Sequence, residues 1–224
     1  MPRSSSGVIA IATMKGGSGK TTLAVCLAAR WMQLGRHTAL VDADPQRSAL
    51  RWVGAGEELS ALKVTALDSA QTGAAEMIRS LVEQGYERIV VDTPGFRSPT
   101  TAAILTLAHM ALVPIKPSPV DFEVAADTMD MIGEIARARA DPGSLKTRFV
   151  LCQTILRSVM ARHMRQELQD ARYPLLHAEL TNRVAHTEAP FTGSTPSLIA
   201  PEGAAAREIE AVRAEIDALL DGSE

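Results

Sequence analysis

Val8-Ile9-Ala10-Ile11-Ala12-Thr13-Met14-Lys15-Gly16-Gly17-Ser18-Gly19-Lys20-Thr21-Thr22 decides the fold. Its first five residues are an uninterrupted apolar run, the pattern of a short strand buried on both faces. A glycine-rich turn follows. From Thr21 the period becomes helical, with Leu23, Cys26, Leu27, Trp31 and Leu34 on one face and Gly35 suited to the helix end. Glycines let a backbone curl until successive N–H groups converge on phosphate oxygens. The cradle here is Gly16, Gly17, Ser18 and Gly19, and the following helix adds its positive dipole end. In such a loop Lys20 reaches β- and γ-phosphates, the Thr21 hydroxyl ligates Mg²⁺ and Thr22 faces the α-phosphate. The general pattern GxxxxGK[ST] asks for glycine where this chain has Met14, and Lys15 is an additional lysine.

Outward from the loop, strands and helices alternate. A second strand, Thr38 to Val41, ends on Asp42, and a polar helix runs from Ser48 to Val53. Gln71 to Gln84 reads as a helix, and Arg88 to Val91 as a buried strand ending on Asp92. Helix Thr100 to Ala108, strand Ala111 to Ile115, helix Phe122 to Arg139 and strand Arg148 to Leu151 continue the pattern. Helices Val159 to Ala171 and Ala204 to Leu220 close it. Such alternation implies a three-layer α/β/α fold, a mostly parallel twisted sheet covered by helices on both faces. Ligands bind beyond the carboxyl ends of those strands. Residues 1–224 are expected to form one domain behind a short tail, residues 1–7.

Strand two leads into Asp42-Ala43-Asp44-Pro45-Gln46, 22 residues after Lys20 at Asp42. Asp42 is placed to hold a Mg²⁺-bound water, and Asp44 to orient an attacking water. Asp92-Thr93-Pro94-Gly95 supplies a second aspartate beside the metal and a glycine that lets the loop move.

Composition agrees with an ordinary soluble protein, at 46% hydrophobic and 22% charged residues with a net charge of −3. Cys26 and Cys152 are far apart, which points to a reducing cytoplasm and away from disulfide, zinc or iron–sulfur scaffolds. Ala102 to Ile115, the longest apolar stretch, falls short of the ~20 residues of a membrane span. Seven basic residues between Lys146 and Arg183 face three acids, Glu167, Asp170 and Glu179, so one region is locally basic.

The loop Lys15 to Thr22, the DxDPQ stretch and the Asp92 strand end together resemble the ParA/MinD family of deviant Walker A ATPases. The resemblance covers Val8 to about Leu220 and is specific in the first 125 residues. It implies an ATPase with ATP and Mg²⁺ as ligands. Two subunits would face each other across two ATP molecules, each Lys15 contacting the other subunit's nucleotide. A cation supplied in trans neutralises charge developing in phosphoryl transfer. Lys15, Lys20 and Asp44 are thus the implied catalytic residues, Thr21 the direct metal ligand, and Asp42 and Asp92 its partners through water. The implied dimer binds nucleoid DNA without sequence preference, through basic residues of the second half such as Arg162, Arg165 and Arg183. A ParB-like or small centromere-binding adaptor protein would stimulate hydrolysis, and a plasmid, chromosome or other cargo would be positioned.

Pro114 to Phe122 resembles a proline-rich box of small ParF-type partition ATPases, either framing nucleotide and dimer contact or serving as a stiff connection. No [NT]KxD guanine motif exists, and Cys152-Gln153-Thr154 stands near its expected place, which favours ATP over GTP. About seven residues precede strand one, so no operator-reading extension is expected. Two alternatives are a MinD-like membrane-cycling regulator and a metabolic relative of the same fold. The first needs a basic amphipathic C-terminal helix, whereas Glu208, Glu210, Glu215, Asp217, Asp221 and Glu224 outweigh Arg207 and Arg213. An iron–sulfur relative needs paired cysteine ligands, for which Cys26 and Cys152 are unsuited, and a synthetase needs a second substrate pocket.

Overall fold

The computed structural model describes residues 7–67 and 73–222. Its strands are β1 (Gly7–Ile11), β2 (Thr38–Asp42), β3 (Lys63–Ala66), β4 (Arg88–Asp92), β5 (Met110–Ile115), β6 (Lys146–Thr154) and β7 (Leu180–Thr181). They form one sheet in the order β3-β2-β4-β1-β5-β6-β7, and every pair is parallel. The helices are α1 (Lys20–Gln33), α2 (Ser48–Val53), α3 (Ala74–Glu83), α4 (Pro99–Leu107), α5 (Pro119–Arg137), α6 (Val159–Asp170), α7 (Val184–Thr192), α8 (Pro196–Ile199) and α9 (Ala204–Asp221).

Side-chain alternation along β1 shows how the layers arise. Ile9 and Ile11 join Leu23, Trp31, Trp52, Val212 and Ile216 in a core under α1, α2 and α9. Val8, Ala10 and Ala12 join Ile78, Ile104, Met131 and Leu168 in a second core under α3 to α6. Both faces of the sheet are covered, as the apolar strands require. The expected three-layer α/β/α architecture is what forms.

Several boundaries differ from expectation. Residues 71–72 of the expected Gln71 helix and residues 1–6 of the expected tail lie outside the described residues. Helix α5 begins three residues early, because the Ser118 side chain accepts the Asp121 N–H and Pro119 pre-sets the first turn. Pro119 to Phe122 is therefore helix, not loop. Leu34 is exposed at the end of α1 instead of lying on a buried face, while Ala24, Val25, Ala28 and Ala29 are buried, so α1 is enclosed nearly all round. Strands β3 and β7 and helices α7 and α8 were not expected.

The C-terminal helix is clamped to the sheet by charge as well as by apolar packing. Arg88, only 1% exposed, donates to Asp217 from Nε (3.1 Å) and from a terminal nitrogen (2.9 Å). Asp217 also accepts from Trp31 Nε1 at 3.1 Å and from Arg213. Arg30 extends the network to Glu210 at 2.6 Å. A buried charge with this many partners resists removal of any one of them. The network holds α9 over α1, the helix that carries the phosphate loop.

Candidate nucleotide site

Because all seven strands are parallel, their carboxyl ends share one edge, where the loop after β1 lies. Gly17 and Gly19 sit at φ +73 and +98, the left-handed region that side chains disfavour. Gly19 caps α1 with no side-chain hydrogen bond, leaving the first helical N–H groups facing the cleft. Gly95, after β4, packs so closely that a Cβ there would come within 3.0 Å of the Gly16 nitrogen. The two loops are therefore in contact through backbone alone.

Lys20 is buried, and its Nζ donates to the Lys15 carbonyl at 2.8 Å. Burial pushes its ammonium below the ordinary lysine value, opposed by the charges of Asp92 and Asp44. Such a desolvated, weakly satisfied cation is poised for phosphate. Thr21 donates to Asp92 Oδ2 at 2.7 Å. Burial pushes Asp92 up to about 7, the Thr21 hydrogen bond opposing. Its other oxygen, Oδ1, is buried without a hydrogen-bond partner. An orphaned carboxylate oxygen beside a threonine hydroxyl suits a hard divalent cation. Among the described residues no group of three or more His, Cys, Asp or Glu forms a metal cage. A cation here would thus be held by Thr21, phosphate oxygens and water, the set that Mg²⁺ prefers.

Asp42 and Asp44 occupy different positions. Asp42 is fully buried and accepts backbone N–H groups from Asp44 (3.2 Å) and Leu50 (2.9 Å), tying the turn to α2. Burial raises its pKa. Asp44 is half-buried at the cleft mouth, where Oδ1 accepts from the Gln46 N–H at 2.9 Å. Lys20, Thr21, Thr22, Asp44 and Gly95 line one cleft of about 710 Å³, within the usual range for ligand sites. Gly16, Gly17 and Gly19 complete its floor, while Ser18 is buried behind it.

Residues beyond those read from the sequence as phosphate and metal contacts also line the site. Gln153 takes φ +56 where β6 slips register against β7, and its side-chain nitrogen donates to the Gly17 carbonyl at 3.3 Å. A non-glycine residue in that region is strained, and such bulges re-aim side chains at sites. Trp52 and Phe191 line the far wall, Phe191 being 85% exposed. A smaller cavity of about 140 Å³ adjoins the cleft through Gly19, Thr22 and Gln153. Cys152, Leu180, Asn182 and His186 line it, and neither His186 ring nitrogen has a hydrogen-bond partner. Burial lowers the His186 pKa, keeping the ring neutral. Both cysteines are free and buried, and burial pushes each thiol up to about 12.

The basic residues of the second half are less uniform than their spacing suggests. Arg162 is exposed on α6 with no ion pair among the described residues. Arg165 donates to Glu179 at 2.9 Å and to the Leu176 carbonyl at 3.1 Å, and Arg183 donates to Glu208 at 2.7 Å. No helix of the described residues is long and apolar enough to cross a membrane.

Comparison with known proteins agrees with this geometry. Residues 9–196 match the family model of the CobQ/CobB/MinD/ParA nucleotide binding domain. The maintenance of carboxysome distribution protein A of Halothiobacillus neapolitanus is 31% identical over 210 residues, covering 93% of this chain and 95% of that protein. The chromosome-partitioning ATPase Soj of Thermus thermophilus is 28% identical, covering 86% and 88%. The structure of the MinD cell division protein of Aquifex aeolicus superposes with a TM-score of 0.76 at 16% identity, covering 94% and 97%, a likeness of fold. With its extra lysine at Lys15 and its unoccupied glycine position at Met14, the chain belongs to the CobQ/CobB/MinD/ParA family, as a ParA/MinD-type deviant Walker ATPase.

Proposed function

We propose that this protein is an ATPase that ATP switches from monomer to dimer, and that the dimer positions an intracellular cargo on DNA. One observation carries the reading. Phe96, Val120, Ile155, Leu156, Val159 and Met160 are exposed apolar side chains. All follow the carboxyl ends of β4, β5 or β6, the edge onto which the phosphate cleft opens. Exposed apolar surface around a charged cleft marks a face that another molecule covers. A second copy facing it would bring its Lys15 to the first copy's nucleotide.

Within each subunit the loop N–H groups, Lys20 and the α1 dipole bind the triphosphate. Bound Mg²⁺, held by Thr21 with Asp92 and Asp42 behind it, would neutralise phosphate charge. Asp44 orients the attacking water, and Lys20 with Lys15 of the partner subunit balances the charge that develops. Asn182 and His186, which line the smaller cavity beside the loop, are the contacts proposed for the base, where a neutral imidazole offers one donor and one acceptor.

DNA binding rests on Arg162 and its exposed neighbours, with Arg165 and Arg183 available only after giving up their glutamates. Stimulation of hydrolysis by a ParB-like or adaptor protein is part of the proposal. The Halothiobacillus relative is named for carboxysome distribution, which supports a carboxysome-like body among the cargoes, beside a plasmid, a chromosome or a chemoreceptor cluster. A membrane-cycling role is disfavoured because the apolar face of α9, including Ile209, Val212 and Ile216, is already buried. Gel shifts on unrelated duplexes at two salt concentrations, with ATP, ADP and no nucleotide, test the DNA step. Binding that needs ATP, ignores sequence and falls with salt supports it. Binding to anionic vesicles instead of DNA refutes it.

A further inference from the structure

Helix α5 grips the phosphate loop at two points. Thr128, fully buried, accepts a hydrogen bond from the Met14 N–H at 3.1 Å while donating to the Val124 carbonyl at 2.7 Å. Two turns earlier Asp121 accepts one from Lys15 Nζ at 2.9 Å. The partners differ in exposure: the Asp121 side chain is 5% exposed and that of Lys15 34%. Ser118, which caps α5, donates to the same oxygen of Asp121. The carboxylate is thus fixed in place, and the lysine is the half of the pair that can leave.

We propose that Asp121 is a positioning residue that holds Lys15 on its own subunit in the monomer and yields it to the partner's nucleotide when two loaded subunits meet. This rests on the ATP-switched dimer proposed above. The exchange is a competition between a carboxylate in cis and phosphate oxygens in trans. Once Lys15 leaves, Asp121 stays buried with the Ser118 hydroxyl and the positive end of α5, which lessens the penalty without removing it. The latch therefore opposes dimerisation by a modest factor and raises the concentration of loaded monomer needed before pairing begins. For a pair with a buried carboxylate and a partly exposed lysine we take the factor as roughly fivefold per subunit. A dimer opens two latches, so the expected effect on its dissociation constant is roughly 25-fold.

The test is analytical ultracentrifugation with Mg²⁺ and ATP on the wild type, Asp121→Asn and Asp121→Glu, with fluorescent ADP titrated onto each as a measure of the monomer's own site. Asp121→Asn should dimerise at roughly 25-fold lower protein concentration with ADP affinity unchanged. Asp121→Glu, which keeps the charge, should stay near the wild type, a rescue that a purely structural role would not produce. A dissociation constant for Asp121→Asn equal to or weaker than that of the wild type overturns the latch. If Asp121→Asn does not fold, Ser118→Ala decides the matter. Loosening the carboxylate should move dimerisation several-fold the same way, and no shift or the opposite shift overturns the proposal. A wild type that stays monomeric with ATP removes the dimer and the latch together, whereas a dimerising wild type with an unresponsive Asp121→Asn removes the latch alone.

Discussion

Raising the pH from about 6 to about 8 should tighten Mg²⁺–ATP binding roughly tenfold, through Asp92. In the empty protein burial pushes this carboxyl up to about 7, with the Thr21 hydroxyl and Lys20 pulling the other way. The loaded site, with a dication beside the carboxyl, needs it ionised. Binding therefore expels a proton wherever the empty site holds one. Affinity falls by about a decade per pH unit well below 7 and is flat well above it, which gives the roughly tenfold span. The same shift acts on stability with a definite sign. An acid whose folded pKa lies above its unfolded value of 3.8 favours the folded state at low pH. That contribution is lost as pH rises from about 4 to about 7, up to a limit of about 4 kcal/mol. The assay is a fluorescent-nucleotide titration at saturating Mg²⁺ across this range, on the wild type and Asp92→Asn. Titration of the nucleotide's own phosphate is common to both, so the difference in slope belongs to Asp92. Equal slopes would refute the argument.

Lys20→Ala should lose nucleotide binding by two or more decades, since it removes a buried cation of the cleft; near-wild-type affinity in the same titration sinks the loop assignment. Asp217→Ala strips two hydrogen bonds from buried Arg88 and one from Trp31. It should cost about 3 kcal/mol and lower Tm by roughly 10 °C in a thermal melt, and a shift below about 2 °C contradicts the clamp. Arg162→Glu should weaken DNA binding without changing the melt, whereas Arg183→Glu should lower the melt as well because it sets two carboxylates against each other at Glu208. Equal melts for the two variants count against that distinction.

How much of this was legible in the chain varies with the range of the interaction. The β1–loop–α1 unit is local: an apolar run, glycines with positive φ and a helical period all lie within Val8 to Leu34, and each feature agrees with the next. Strand β3, by contrast, is a four-residue edge strand with no fully buried residue, and the polar–apolar alternation of Lys63-Val64-Thr65-Ala66 is too short to mark a strand by itself. Strand β7 has two residues and exists only because β6 is beside it. Gln153 acquires its left-handed backbone from the slip between those two strands, a tertiary event with no local signature. Asp121 reads as part of a proline-rich connection until Ser118 caps a helix there, and its contact with Lys15 spans 106 residues. The aspartates at strand ends were findable because parallel topology puts such ends together. That Asp42 spends both oxygens on backbone N–H groups was not, since this depends on where α2 begins.

Sedimentation velocity of the wild type and Lys15→Ala with Mg²⁺ and ATP shows whether ATP pairs two subunits through Lys15. The wild type should sediment as a dimer with ATP and as a monomer with ADP. Lys15→Ala should bind ATP with near-wild-type affinity and remain a monomer, because the lost charge serves the other subunit's nucleotide. A Lys15→Ala protein that dimerises with ATP as the wild type does would show that Lys15 does not act across the dimer.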